Sequence, residues 1–244
     1  MTERSTGILV VLKRIGTAVA DVLFPVNCLG CGIEGVWLCR RCYQSLPLLA
    51  AQECPGCRTP SPGGRTCPAC RSTLPLYSLT VAVRYENDLV QALIHTLKYR
   101  YVTAVADHLA TIAVCSLRQY ADPPRGTTVV VPVPLHRRRL REREFNQAEL
   151  IARGVARQLG WECWPHVLRR IRYTTAQATL TREQRLTNVR GAFRTSTALD
   201  LSGINVILVD DVATTCTTVS ECAKVLRQVG CPSVRGLVIA RGAR

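Results

Sequence analysis

Four Cys-x-x-Cys pairs lie between positions 28 and 70 of this 244-residue chain: Cys28 and Cys31, Cys39 and Cys42, Cys54 and Cys57, Cys67 and Cys70. The stretch that carries them is rich in turn residues and has no sustained apolar periodicity, so it needs something other than a core to hold it. A Cys-x-x-Cys turn points two sulfurs at one metal, and Gly30, Pro55 and Gly56 are residue types that such turns favour. Two turns joined by a short hairpin complete a tetrahedral four-thiolate zinc site, which leaves no open position and makes the metal structural. Seven residues separate the first two pairs and nine the last two. That spacing predicts two zinc ions bound sequentially, one by Cys28, Cys31, Cys39 and Cys42 and one by Cys54, Cys57, Cys67 and Cys70, with a cross-braced arrangement as the alternative. Such a lobe binds nucleic acid, binds protein, or only staples its own fold. An odd total of 13 cysteines, eight of them paired in this way, points to metal ligation in a reducing cytoplasm and not to a disulfide framework.

At 47% hydrophobic and 20% charged residues, the chain is expected to fold, with length for one ordinary domain plus a small one. The apolar run over 8–12 is broken by Lys13 and Arg14, too early for a membrane span or a secretory signal. Ile8, Leu12, Ile15, Val19, Val22 and Leu23 instead predict a short amphipathic packing helix over 5–23. The formal charge is +15, with 29 arginines and only three lysines. Eight thiolates and two zinc ions bring this to about +11 and the cysteine lobe close to neutral, so the basic excess belongs to the rest of the chain. Arginine's planar fork makes that excess permissive for a phosphate or nucleic-acid partner.

Composition changes near Pro75, which places the zinc lobe in 1–75 and a second domain in 76–244. Apolar, β-branched strands are expected over 79–85, 128–134, 204–209 and 234–240. Helices are expected over 88–98, opened by Asp88 and Gln91, over 104–119, from Asn146 and Glu149 to about Gly160, and from Thr218 and Glu221 to about Gly230. This alternation predicts an α/β fold, a parallel sheet flanked by helices.

After the strand ending at Val209 come Asp210, Asp211, Val212, Ala213, Thr214, Thr215, Cys216, Thr217 and Thr218, and then a helix. In an open α/β sheet, ligands sit past the carboxyl end of a strand, at a helix N-terminus. Backbone N–H groups of residues 213–218, the threonine hydroxyls and the helix dipole can hold a phosphate. The two carboxylates would repel it unless they face ribose hydroxyls or a phosphate-bound Mg²⁺. Sugar and phosphate together indicate a ribose phosphate.

This segment resembles the phosphoribosyl-pyrophosphate (PRPP) signature of type I phosphoribosyltransferases, and further blocks make the chain similar to the ComF family of competence proteins over nearly its full length. These blocks are Phe24-Pro25 before the first cysteine pair, Leu93 to Tyr99, the Val-Pro-Val-Pro strand end Val131 to Pro134, the turn with Arg143, Phe145, Asn146 and Gln147, and Gln177, Leu180, Arg185 and Asn188 to Phe193. The resemblance implies a type I phosphoribosyltransferase-like sheet behind a double zinc ribbon. It implies that Asp210 and Asp211 contact the ribose hydroxyls and that Val212 to Thr218 surround the 5′-phosphate. The stretch after Pro134, with Arg137, Arg138 and Arg143, becomes the pyrophosphate side, where leaving-group charge needs stabilisation; its bland reading is a solvated basic face.

The chain departs from the family twice, with Cys216 and Glu144 where the family favours glycine. Cys216 is expected to be forced into a backbone conformation that glycine adopts freely. Glu144 is expected to set a carboxylate near the pyrophosphate position. Together they lead to the expectation that PRPP binds without efficient turnover. The family implies a cytoplasmic protein that handles single-stranded DNA during transformation, with Trp37, Tyr43, Tyr99 and Tyr101 as candidate stacking residues. The alternatives are an active phosphoribosyltransferase acting on a nucleobase or amine, and a non-catalytic ribbon scaffold that docks a helicase.

Overall fold

Buried, β-branched segments build the central sheet. Its strands are β1 (Ser78–Arg84), β2 (Thr128–Pro132), β3 (Glu162–Cys163), β6 (Asn205–Ala213) and β7 (Val234–Arg241), while β4 (Leu168–Arg170) and β5 (Phe193–Thr195) form a separate antiparallel pair. The computed structural model describes residues 25–122, 124–173, 189–196 and 200–242. The helix expected over 5–23 and the motif residues Gln177, Leu180, Arg185 and Asn188 lie outside them. Sheet order is β1-β7-β6-β2-β3, and every pair in it is parallel. All five residues of β2 are buried, as expected of a strand covered on both faces. Alternation along β6 sends Val206 and Leu208 into the core cluster that also holds Val219 and Leu226, and Ile207 and Val209 to the opposite face.

The described residues form seven α-helices, two before the sheet, α1 (Arg40–Gln44) and α2 (Pro68–Arg71), and five between its strands, α3 (Asp88–Tyr99), α4 (Val105–Tyr120), α5 (Arg137–Arg143), α6 (Gln147–Leu159) and α7 (Thr217–Gln228). Helix α3 is capped by Asn87, whose side chain accepts from the Val90 N–H at 3.0 Å, one residue before the expected Asp88. Helix α6 is capped by Asn146, as expected, and ends at Gly160 with φ 69°. Asn146 also donates to the Val133 carbonyl at 3.1 Å, which ties the start of α6 to the end of β2. Helix α5 occupies the arginine-rich stretch for which the sequence predicted no element.

Two boundaries near the expected phosphate loop differ from the sequence reading. Strand β6 does not end at Val209. It continues to Ala213, because Val212 and Ala213 stay in register with Ala240 and Arg241 of β7. Helix α7 begins at Thr217, after Cys216 at φ 59°, and not at Thr218. The turn between them is only Thr214, Thr215 and Cys216.

Contacts divide the chain into two compact units, Met1–Ser45 and Leu46–Arg244, whereas composition shifts near residue 75. The second cysteine region thus belongs with the sheet. Strand β1 is an edge, and an uncovered edge leaves backbone groups unpaired. Here the Leu49 N–H donates to the Ala82 carbonyl at 2.8 Å, and the Thr66 N–H to the Tyr77 carbonyl at 2.9 Å. The Gln52 side chain, 4% exposed, accepts from the Val81 N–H at 2.9 Å and donates to the Val81 carbonyl at 3.0 Å, in place of a neighbouring strand. Gly64, at φ 65°, lies so close to β1 that a Cβ there would stand 2.0 Å from the Leu79 carbonyl oxygen. Among the described residues, no helix is long and apolar enough to cross a membrane.

Candidate functional site

The eight cysteines of the four pairs gather into two groups in sequential pairing. Cys28, Cys31, Cys39 and Cys42 form one and Cys54, Cys57, Cys67 and Cys70 the other, with the sulfurs of each group within 4.8 Å of one another. A tetrahedron of 2.3 Å zinc–sulfur bonds needs sulfurs about 3.8 Å apart, so both groups fit a four-thiolate metal ion. The Cys31 and Cys39 sulfurs are 3.6 Å apart, as are those of Cys57 and Cys67. Burial pushes the Cys28 thiol up, but the N–H groups of Cys39, Gly30 and Cys31 outweigh it and bring it down to about 6. Hydrogen bonds from Thr59 bring Cys57 down to about 6 as well. These two settings favour the thiolate that a metal requires, whereas hydrogen bonds with neighbouring cysteines push Cys42 and Cys70 up to about 12.

A separate cavity of about 400 Å³ opens at the carboxyl ends of β2 and β6. The chain leaves β2 toward β3 on one side and leaves β6 toward β7 on the other, so these neighbours form a topological switch point. The end of β2 contributes Val133, Pro134 and Leu135, and the end of β6 contributes Asp210, Asp211, Val212 and Thr214. Thr218, in the first turn of α7, adds a hydroxyl beside a helix N-terminus whose first N–H groups have no intrahelical partner. The Thr214 hydroxyl is buried and has no hydrogen-bond partner among the described residues. Facing these groups are Lys98, Arg139, Arg143 and Arg170. Arg170 reaches the site because an isolated bridge pairs it with His136.

The two adjacent carboxyl groups are pushed in opposite directions. Asp211, 4% exposed, accepts from the Val212 N–H at 2.8 Å and forms an ion pair with Lys98. Burial acts to raise its pKa, but the Lys98 charge and hydrogen bond pull it below the usual carboxylate range. Burial likewise acts against the Lys98 ammonium, and the Asp211 charge more than restores it. Asp210 accepts from the Asp211 N–H at 2.9 Å, and burial beside the Asp211 charge pushes its carboxyl well above the usual range. With Asp211 matched to Lys98, the cavity is lined in addition by three guanidinium groups and the Asp210 carboxyl, an arrangement suited to a polyanion with hydroxyls or a bound cation.

Of the other residues singled out in the sequence, Arg143 lines this cavity and Arg137 and Arg138 do not. Arg138 pairs with Glu142 at 3.2 Å and lies over the Tyr173 ring at 4.9 Å. Ala213, Thr215, Cys216 and Thr217 do not line it either. Thr215 and Thr217 share a hydroxyl hydrogen bond of 2.7 Å, and the Cys216 side chain is buried in the core cluster. Both departures from the family glycines have positive φ, 59° at Cys216 and 64° at Glu144. Glu144 caps the end of α5, is exposed, and does not line the cavity. Lys98 and Arg170 are lining cations to which the sequence reading gave no role, while Arg139 belongs to the arginine-rich stretch after Pro134 that it placed on the pyrophosphate side. For Lys98 the signal was available, since it is one of three lysines and stands within the Leu93 to Tyr99 block.

Comparison with known proteins agrees with this geometry. Residues 19–77 match the model of the double zinc ribbon domain, and residues 146–244 that of the phosphoribosyl transferase domain. The DNA utilization protein YhgH of Salmonella typhi is 30% identical over 198 residues, 77% of this chain and 83% of that protein. YhgH of Escherichia coli K12 is 30% identical over 196 residues with the same coverage, and competence protein F of Haemophilus influenzae is 32% identical over 113 residues, 46% of this chain and 49% of that one. With a four-cysteine site in each ribbon, a parallel sheet with its cavity at the switch point, and this kinship, the chain belongs to the ComF family.

Proposed function

We propose that this ComF-family chain binds PRPP with Mg²⁺ in the crevice between β2 and β6, and acts in the cytoplasm in handling single-stranded DNA taken up by the cell. One observation carries the reading: Asp210 stands beside Thr214, Thr218 and the start of α7, with Arg139, Arg143 and Arg170 lining the same cavity. The first-turn N–H groups of α7 and the threonine hydroxyls take the 5′-phosphate. The three arginines take the pyrophosphate, which suits bidentate forks. Asp210 faces the ribose hydroxyls or the cation, and Mg²⁺ neutralises pyrophosphate charge when bound. Asp211 acts at one remove, by holding Lys98 at the wall of the cavity. Calorimetric titration with PRPP and Mg²⁺ tests this. One site per chain is expected, lost in Asp210→Asn.

The DNA role draws on relatives named for DNA utilization and competence, and on the exposed Arg137, Arg138 and Arg141 of α5. Binding of a labelled oligonucleotide should weaken steeply with salt, and a triple alanine variant at these positions should flatten that slope. A second reading, transfer of the phosphoribosyl group to a planar acceptor, is favoured by Tyr85 and Tyr99, whose rings line the same cavity. Mg²⁺-dependent release of pyrophosphate with one particular base would establish it.

A further inference from the structure

We propose that the second cysteine ribbon is a working part of the ligand site, and that Arg58 is the positioning residue through which it acts. The proposal rests on the PRPP reading for its ligand, and on the chain's own contacts for everything else.

The two ribbons repeat one bonding scheme. In the first, the Gly32 N–H donates to the Cys28 carbonyl at 2.8 Å; in the second, the Arg58 N–H donates to the Cys54 carbonyl at 3.1 Å. The residue after the second cysteine must therefore take positive φ, 75° at Gly32 and 65° at Arg58. The first ribbon satisfies this with glycine. The second places an arginine in a conformation that L side chains rarely adopt, which calls for a compensating use of the side chain.

That use is visible. Arg58 Nη2 donates to the carbonyl of Thr214 at 2.9 Å and to the carbonyl of Gly242 at 2.8 Å. Thr214 opens the turn between β6 and α7 and lines the cavity, and Gly242 follows β7. A second guanidinium runs the opposite way. Arg241, at the end of β7 and 6% exposed, donates from Nη2 to the Pro55 carbonyl at 2.9 Å, inside the Cys54-to-Cys57 turn. The turn is drawn close around its sulfurs, since a Cβ at Gly56 would stand 2.8 Å from the Cys70 sulfur. Without an apolar core of its own, its shape depends on the four thiolates sharing a metal. Metal in the second ribbon fixes Arg58, Arg58 fixes the Thr214 carbonyl, and the turn that carries the threonine hydroxyls is held ready for a phosphate. Ribbon metal and ligand are then linked, each raising affinity for the other.

The test uses the full chain with two zinc ions bound. Arg58→Gly restores the residue of the first ribbon and relieves the backbone, so zinc content and unfolding temperature should hold. PRPP affinity in saturating Mg²⁺ should fall about tenfold, with partial recovery in Arg58→Lys. Amide exchange over residues 214–218 should quicken in Arg58→Gly and in Cys57→Ser, with no ligand present, and stay unchanged in Cys31→Ser. Unchanged exchange in both Arg58→Gly and Cys57→Ser, or wild-type affinity in Arg58→Gly, overturns the proposal. If the wild-type protein binds no PRPP, the ligand reading falls and the exchange rates alone decide the coupling.

Discussion

The two cysteine ribbons are near copies in their bonding and opposites in their setting. In each, the N–H of the third cysteine donates to the sulfur of the first, at 3.3 Å from Cys39 to Cys28 and 3.4 Å from Cys67 to Cys54. The first lies within the unit Met1–Ser45 and exposes Ile33 by 57% and Val36 by 40%. The second covers the edge of β1 through Leu49, Gln52 and Thr66 and exchanges two arginine contacts with the strand ends beside the cavity. Four thiolates fix the shape of a ribbon, and the residues between and after them decide what that shape serves. Glycine after Cys31 leaves the turn without a side chain to extend. Arginine after Cys57 carries it to Thr214.

The comparison breaks most visibly if the two metal sites are equally important to the sheet. Cys54→Ser should cost the sheet unit about 4 kcal/mol, as losses of a metal do, and lower its unfolding temperature by roughly 10 °C, while Cys28→Ser leaves that transition in place. Calorimetry of the two variants side by side checks this.

Next in size is Lys98→Met, which leaves Asp211 buried without its cation and should cost about 3–5 kcal/mol at neutral pH. The folded pKa of Asp211 is depressed, so its stabilising contribution is present above the unfolded carboxylate value and is lost as pH falls through the folded one. Acid should therefore narrow the gap between variant and wild type, as read from denaturant midpoints across pH.

Asp210→Asn should act in the opposite sense on stability while abolishing PRPP binding. The folded pKa of Asp210 is raised, so wild-type stability associated with it is present below the unfolded value and is lost as pH rises through the folded one. The variant should unfold at a higher temperature than wild type at neutral pH, and the gain should vanish in acid. A group that costs stability at the centre of a cavity is what a binding role predicts.

The smallest effect is expected at Cys216→Gly. Relief of the φ 59° backbone, worth about 1 kcal/mol, is set against lost burial of the thiol, of similar size. Because the side chain points into the core cluster and does not line the cavity, PRPP affinity should move less than about threefold by titration. A large gain in affinity would instead show that the strained backbone at Cys216 weakens the phosphate turn.

Much of this was legible in the chain. Paired cysteines marked the metal groups, with sequential pairing favoured over a cross-braced alternative, β-branched runs marked four strands of the sheet, and the non-glycine residue at a family glycine position pointed to the positive φ of Cys216, whereas Glu144, expected near the pyrophosphate position, has positive φ and lies outside the cavity. What stayed hidden depends on pairing between distant segments. Asp210 and Asp211 read as the start of a loop, but the register with β7 carries β6 past them to Ala213. Helix α5 was masked by a run of arginines with no apolar face, and Arg170 enters the site through a bridge to His136 that no local pattern announces. The reach of Arg58 to Thr214 spans 156 positions, beyond any motif.

The central claim is that the crevice between β2 and β6 holds PRPP through Asp210 and the turn after β6. Titrating PRPP into the zinc-loaded full chain with saturating Mg²⁺ tests it most directly. Saturable binding at one site per chain, abolished by Asp210→Asn, is the expected result. Absence of binding at millimolar PRPP, or equal binding by wild type and Asp210→Asn, would contradict it.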